Sequence, residues 1–500
     1  MKRLTLVLAL VVSLLAVMIV PVSAQDRDYD SIDAAELDGQ VVTFWHQHTG
    51  FRETILNALI VLFNDPTLEG EEFITATGYA GTSEAEREQL LEIADAVRDI
   101  AAAANPYGIV VDPSNQGGYS DIFNKVTTEL AAGGDSLPSL VVAYQNQAAT
   151  YQVVDALADL NPLVYSPVWG LSEEEIADFF PGFWSQDEFP TFENQRLGFP
   201  PNRSMEVMYY NIDWLAELYE AGAISFEGAP VTPEQFREAA CAASEHPFSA
   251  ATGANASAGY ALSMDASRFA SWTFAFGGDI FDYDNLAYSL DSDAAVAAFE
   301  FLRGLFDDGC ATEIFESDGD QTDFGAGTLL FTVGSSSGIP FYVSAVEAGS
   351  GHNFSVAAIP HTTEDPVQNV YGASVSVPKT EPVEELATWI FLKYYTDPVV
   401  NAIWATGSNY FPVRSSSADA LGEYFEANPV FADAFELLPY VIPEPPVPGY
   451  DPVRVQMGAV MQELVTRSDS RDVAEILADL NEAANEQLEI SLAGLDLVVE

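Results

Sequence analysis

Basic side chains are scarce in this chain. It carries 18 lysines and arginines against 76 aspartates and glutamates, a formal net charge of −58. A surface so acidic repels nucleic acid and anionic lipid, and no polybasic stripe interrupts it. Nucleic acid is therefore excluded as a partner, and a salty or acidic medium would relieve the self-repulsion. Histidine is scarcer still, with five residues and none after His361. The two cysteines, Cys241 and Cys310, can pair in an oxidising compartment or stay free, but one bridge is no disulfide framework. Neither has a second cysteine or a histidine at ligand spacing, so no metal-thiolate site is expected. Beyond residue 24 no apolar run reaches the roughly 18 residues of a membrane span.

What the chain does have begins with a leader. Lys2 and Arg3 precede an apolar run over 4–20, which ends in Pro21 and the small-residue site Val22-Ser23-Ala24. This pattern predicts a signal peptide over 1–24 and an exported protein, periplasmic or extracellular, starting near Gln25. Without the leader's two basic residues the charge stands near −60. No cysteine follows the run, so no lipid anchor is expected. The remaining chain of about 475 residues exceeds a single core and predicts two domains.

Strand and helix patterns alternate along the first third. QVVTFW (40–45), 108–111 and LVVAY (140–144) read as strands; 51–64, 83–104, 119–132 and 148–158 read as helices, with Ser83 capping the second. Such alternation indicates an α/β fold with a largely parallel sheet. A strand at 205–211 opens a mainly helical middle with helices at 212–221, 232–244, 266–276 and 292–307. Strands at 329–333, 354–359 and 373–378 follow, then helices at 383–395, 398–406, 418–427, 454–466 and 473–490.

One stretch invites a catalytic reading. Gly334-Ser335-Ser336-Ser337-Gly338 matches G-x-S-x-G, and the apolar run LLFTV leads into it. A secreted serine hydrolase using Ser336 is the alternative function this motif offers. It needs a histidine on a late loop, and only His352 and His361 follow, both close by. Two further readings need no base: a structural helix cap, or a ligand-gripping turn at a helix N-terminus. Trp45-His46-Gln47-His48 likewise suggests a metal pair, but the other histidines show no ligand pattern, so no metal and no cofactor is expected.

Four separated segments resemble one family, the extracellular solute-binding proteins of ABC importers. They are TFWHQHTGFRETILNALIVLFN (43–64), FPPNRSMEVMYYNIDWL (199–215), FGAGTLLFTVGSSSG with YGASVSVPK (324–338, 371–379), and ATWIFLKYYTDPVVNAIWATGSNYFPVR (387–414). Within the carbohydrate-type cluster the likeness is greatest to the glycerol-phosphate-binding members. Two departures leave the ligand open: a helix-bearing insertion before Tyr119, and Gln145 where those members tend to carry an acidic residue.

The resemblance implies a two-lobed, periplasmic-binding-protein-like α/β fold of type II, with crossings near 204–207, 329–333 and 373–376. It places 39–204 with 334–372 in the N-terminal lobe and 207–328 with 377–500 in the C-terminal lobe. It implies a monomeric, non-enzymatic receptor that hands a sugar, polyol or glycerol phosphate to permease subunits. Ligand contacts implied by the family pattern are Tyr119, Gln145, Ser204, Trp272, Ser336, Ser337, Gly372 and Tyr410. Trp45 and His46 would border the ligand, although Trp45 suits a core equally well. Arg454 would hold a phosphate, or serve only as a salt bridge in so acidic a chain.

Overall fold

Two β-sheets form, each gathering strands far apart in sequence. The computed structural model describes residues 27–253, 257–314, 316, 318–466 and 471–499; the leader and its cleavage site lie outside them. The first sheet runs in the order Ser374–Ser376, Leu140–Ala143, Val41–His46, Val110–Asn115. Val41–His46 is parallel to both neighbours, and Ser374–Ser376 is antiparallel to Leu140–Ala143. Pro113 is accommodated because its strand lies at the sheet edge, where a missing N–H donor costs no ladder bond. Helices Gly50–Asn64 and Pro382–Tyr395 cover this sheet and Glu84–Ala104 packs on both helices, with the Phe391 ring 5.3 Å from Phe63 and 6.3 Å from Phe44.

The second sheet runs Ala311–Glu313, Ala258–Leu262, Leu329–Ser335, Glu206–Asn211, Phe354–Ala357 and is mixed. Its central strand, LLFTVGS, is buried from Leu329 to Gly334, as an apolar run without alternation requires. On one face, helices Pro233–Glu245, Ala266–Ala275, Asp293–Asp307, Tyr450–Thr466 and Val473–Val499 build a core of their own with Phe236, Trp272 and Phe331. Cys241 and Cys310 are paired, tying helix Pro233–Glu245 to the chain entering Ala311–Glu313.

Each sheet with its helices is one lobe. Isolated bridges Phe199–Val375, Arg203–Phe411 and Met205–Val370 carry the chain across between them. At this crossing Arg203, with no exposed side-chain surface, ion-pairs Asp187 at 2.9 Å, and both bond Ser374 Oγ. A buried pair survives there because neighbours take most of its remaining hydrogen-bonding capacity, namely Ser374 Oγ, the Asn202 carbonyl and Gln145 Nε2, with Arg203 Nε left unpaired.

The tail segments divide differently from the expectation of 334–372 in the first lobe and 377–500 in the second. Strand Phe354–Ala357 pairs with Glu206–Asn211 in the second sheet, and helix Ile339–Ala348 packs on Gly319–Gly325 of the same lobe. Ser374–Ser376 joins the first sheet, and helices Pro382–Tyr395 and Pro398–Ser408 pack beside Val41–His46 and Gly50–Asn64. Only the last two helices of 377–500 build the second-lobe core. Strands of three or four residues carry no mark of the sheet they will join; hydrogen-bond partners decide it.

Candidate functional site

After Val41–His46 the chain turns through Gly50, whose φ of +62° suits a residue without a Cβ, and enters helix Gly50–Asn64. This turn forms one wall of a cleft of about 920 Å³. Helix Ile339–Ala348 of the second lobe supplies part of the facing wall through Ile339, Pro340 and Phe341, and the end of helix Pro398–Ser408 with Asn409 and Tyr410 closes one side. Gln89, from the inserted helix Glu84–Ala104, also lines it.

Aromatic rings line the inner surface: Tyr119, Tyr410 and Tyr424 with Phe51, Phe341 and Phe431. Gln47 Nε2 donates to Tyr119 Oη at 2.8 Å, and the hydroxyls of Tyr119 and Tyr410 lie 3.4 Å apart. The Arg52 guanidinium lies 4.9 Å over the Tyr410 ring. From Tyr119 a stack continues away from the cleft wall: Tyr144 at 4.7 Å and tilted by 48°, then Tyr371 at 4.1 Å and nearly parallel to Tyr144, then the Arg454 guanidinium 3.9 Å over Tyr371. It reaches from the first lobe to helix Tyr450–Thr466 of the second. Beside it Tyr371 Oη donates to Asn146 Oδ1 at 3.1 Å, and Asn146 Nδ2 donates to Asp451 at 2.7 Å. The lobes therefore touch along this line.

Charges on the second-lobe side are paired. Arg454 ion-pairs Glu444 and donates to Ser267 Oγ at 3.0 Å; Arg268 ion-pairs Glu206. Burial pushes the Glu206 carboxyl up to about 7 against the opposing pull of Arg268, with Asp265 and Glu444 raising it further. Tyrosine faces with hydroxyl rims suit a ligand that presents both apolar ring surface and hydroxyl groups.

Of the residues expected at the ligand, Tyr119 and Tyr410 line the cleft. Arg454 lies in the stack behind it and is salt-bridged. Ser336 is not free for a ligand: it is 1 % exposed, its hydroxyl accepts from the Met205 N–H at 3.2 Å, and its N–H donates to the Met205 carbonyl. Ser337 is half-buried and bonds the Ser335 hydroxyl, which caps the turn. No histidine serves Ser336 among the described residues. His352 bonds Ser350 and His361 bonds Thr363, so the hydrolase reading has no base.

Gln145 and Gly372 belong to the crossing, where Gln145 Nε2 donates to the Gly372 carbonyl, Asp187 and Ser374. Ser204 is buried beside Arg203 in that crossing. Trp272 is a core residue: it has no exposed surface and donates to Tyr260 Oη at 3.0 Å. Trp45 is half-buried against the first-lobe core. His46 is buried between Phe44 and His48, and that burial lowers its pKa to about 4, leaving a neutral ring.

The stacked rings Tyr144 and Tyr371 each sit one residue before an expected contact, Gln145 and Gly372. In extended chain a slip of one residue turns a side chain to the opposite side. Gln47 and Arg52 lie within the family-like segment 43–64, and only their polarity marks them.

A family model of bacterial extracellular solute-binding proteins matches residues 96–433, and the chain belongs to that family. A comparison with curated proteins matches none of them. Among solved structures the chain is similar to the acarbose-binding GacH receptor of Streptomyces glaucescens, with TM-score 0.65 and 18 % identity over 91 % of this chain and 99 % of that one. It is similar to the cyclic α-maltosyl-1,6-maltose binding protein of Arthrobacter globiformis, with TM-score 0.67 and 18 % identity over 90 % and 100 %. It is also similar to UgpB of Mycobacterium tuberculosis in complex with glycerophosphocholine, with TM-score 0.66 and 19 % identity over 90 % and 99 %. These likenesses establish the two-lobed fold. Among the described residues no helix is long and apolar enough to cross a membrane.

Proposed function

We propose that this protein captures a carbohydrate or glycerol-phosphate-type solute outside the cytoplasm and delivers it to the permease subunits of an ABC importer. The observation that carries the reading is the cleft itself: about 920 Å³ between two separately folded sheets, lined by Tyr119, Tyr410 and Tyr424 with amide and hydroxyl groups between them. Aromatic faces cover the apolar face of a sugar or polyol, and the polar rims take its hydroxyls. The structural relatives named above with acarbose, a cyclic maltosyl-maltose and glycerophosphocholine give the ligand class its chemistry. A ligand touching both lobes favours their closed arrangement, which is how occupancy becomes visible to a permease.

The test is native mass spectrometry of the purified protein, followed by titration with neutral sugars, polyols and glycerol phosphates under small-angle scattering. A bound polyhydroxy solute and a smaller radius of gyration on titration are expected. A ligand of another class, or tight binding that leaves the scattering curve unchanged, speaks against the reading.

A further inference from the structure

The cleft departs from the rest of the chain in charge. Acidic residues number 76 in 500, so the 24 residues that line the cleft would include between three and four at that frequency. They include none. The cationic group among them is Arg52, and no described carboxylate lies within ion-pair distance of it. By contrast, Arg454 is paired with the buried Glu444, and Arg268 faces Glu206 and Asp265. Arg52 donates no described hydrogen bond; its guanidinium lies 4.9 Å over the Tyr410 ring.

Its place in the helix sharpens the point. Arg52 lies in the first turn of Gly50–Asn64, where the helix dipole disfavours a cation. The helix therefore gains nothing from a positive charge there, and Thr49 supplies no side-chain cap. Helix Ile339–Ala348 also begins at the cleft wall without a side-chain cap. A guanidinium over an aromatic ring, in a pocket whose lining residues include no carboxylate, can present paired donors to a planar or tetrahedral oxyanion.

We infer that the solute carries an anionic group, a carboxylate or a phosphate, and that Arg52 receives it while the tyrosines hold the polyhydroxy part. This rests on the solute-binding reading and narrows it to acidic sugars and polyol phosphates. It also moves the anion from Arg454, which Glu444 already occupies, to the opposite end of the tyrosine stack.

Calorimetric titration of the full chain at fixed ionic strength, with two matched pairs of probes, tests it: glucose against glucuronate, and glycerol against glycerol 3-phosphate. In one pair the anionic member should bind at least about tenfold more tightly, the scale of a charge-assisted bidentate contact. Which pair shows it distinguishes carboxylate from phosphate. Arg52→Gln should bring that ratio close to one, and Arg52→Lys should restore part of it. Arg52→Gln is expected to fold, since it removes a charge the helix dipole opposes, and an unchanged unfolding midpoint verifies that.

Equal binding of neutral and anionic members by the wild type overturns this inference while leaving the receptor reading in place. A preference that survives in Arg52→Gln overturns the assignment to Arg52. If none of the four binds and neutral oligosaccharides fail as well, the solute-binding reading fails, and this inference with it.

Discussion

Glu206 shows how a single residue ties the fold to pH. It opens the strand that leaves the crossing, its side chain is 10 % exposed, and it faces Arg268 with Asp265 and Glu444 nearby. Its carboxyl titrates near 7 in the folded protein, against an ordinary value of 4.5. The folded chain thus holds this proton more tightly than the unfolded chain does. The stability it contributes is full below about 4.5 and is lost as pH rises through about 7, a change of roughly 3 kcal/mol. Glu206→Gln keeps the shape without the titration, and Arg268 keeps Asp265 at 3.9 Å as its remaining counter-ion. Thermal unfolding should show the variant gaining on the wild type between pH 5 and 8, with the two alike near pH 4.5 (~0.5 pH resolution suffices). Repulsion among the other carboxylates acts on both proteins and cancels in the comparison. Parallel pH curves would show that Glu206 is ionised throughout.

Among the elements, the second-lobe helices depend on a staple. The Cys241–Cys310 bridge closes a loop of 69 residues between helix Pro233–Glu245 and the strand Ala311–Glu313 at the sheet edge. Loop entropy alone assigns it about 4 kcal/mol. Replacing both cysteines by serine should lower the second lobe's unfolding free energy by about that amount, read as a lower denaturant midpoint, and leave solute affinity unchanged, because neither cysteine lines the cleft. An unchanged midpoint would mean that the reduced, unfolded chain is already constrained there.

The helices with strong periodicity and a cap were legible in the sequence. Tyr119–Ala132 falls where its pattern puts it, and Ser83 caps as its position suggests. Ala258–Leu262 and Ala311–Glu313 were not legible, because short strands among helices carry too little periodicity. For the same reason the sequence did not say which sheet Ser374–Ser376 would join. At the site, Tyr119 and Tyr410 came from the family pattern, and both line the cleft. Ser336 was misleading, since a hydroxyl in G-x-S-x-G reads the same whether it meets a ligand or the Met205 N–H. Trp272 misled likewise: an aromatic at helical spacing looks alike facing a core or a cleft.

At the scale of the whole molecule, charge and shape act on each other. The net charge of −58 is spread over two lobes joined by narrow crossings, while the cleft between them is free of carboxylates among its lining residues. Repulsion between lobes thus works across the cleft mouth, on the coordinate along which the protein must close. At about 0.01 M salt the screening length is ~30 Å, comparable to a lobe; at about 1 M it is ~3 Å. The unliganded protein should therefore show a larger radius of gyration at low salt than at high salt, and a lower unfolding temperature. A bound solute offsets the repulsion by bridging the lobes, so the liganded protein should respond to salt much less in its scattering curve. An uncharged osmolyte at equal osmotic strength is the control, because it favours compaction without screening. A radius of gyration that responds to the osmolyte as much as to sodium chloride would show that packing at the crossing, built on Arg203, Asp187 and Ser374, sets the lobe angle instead.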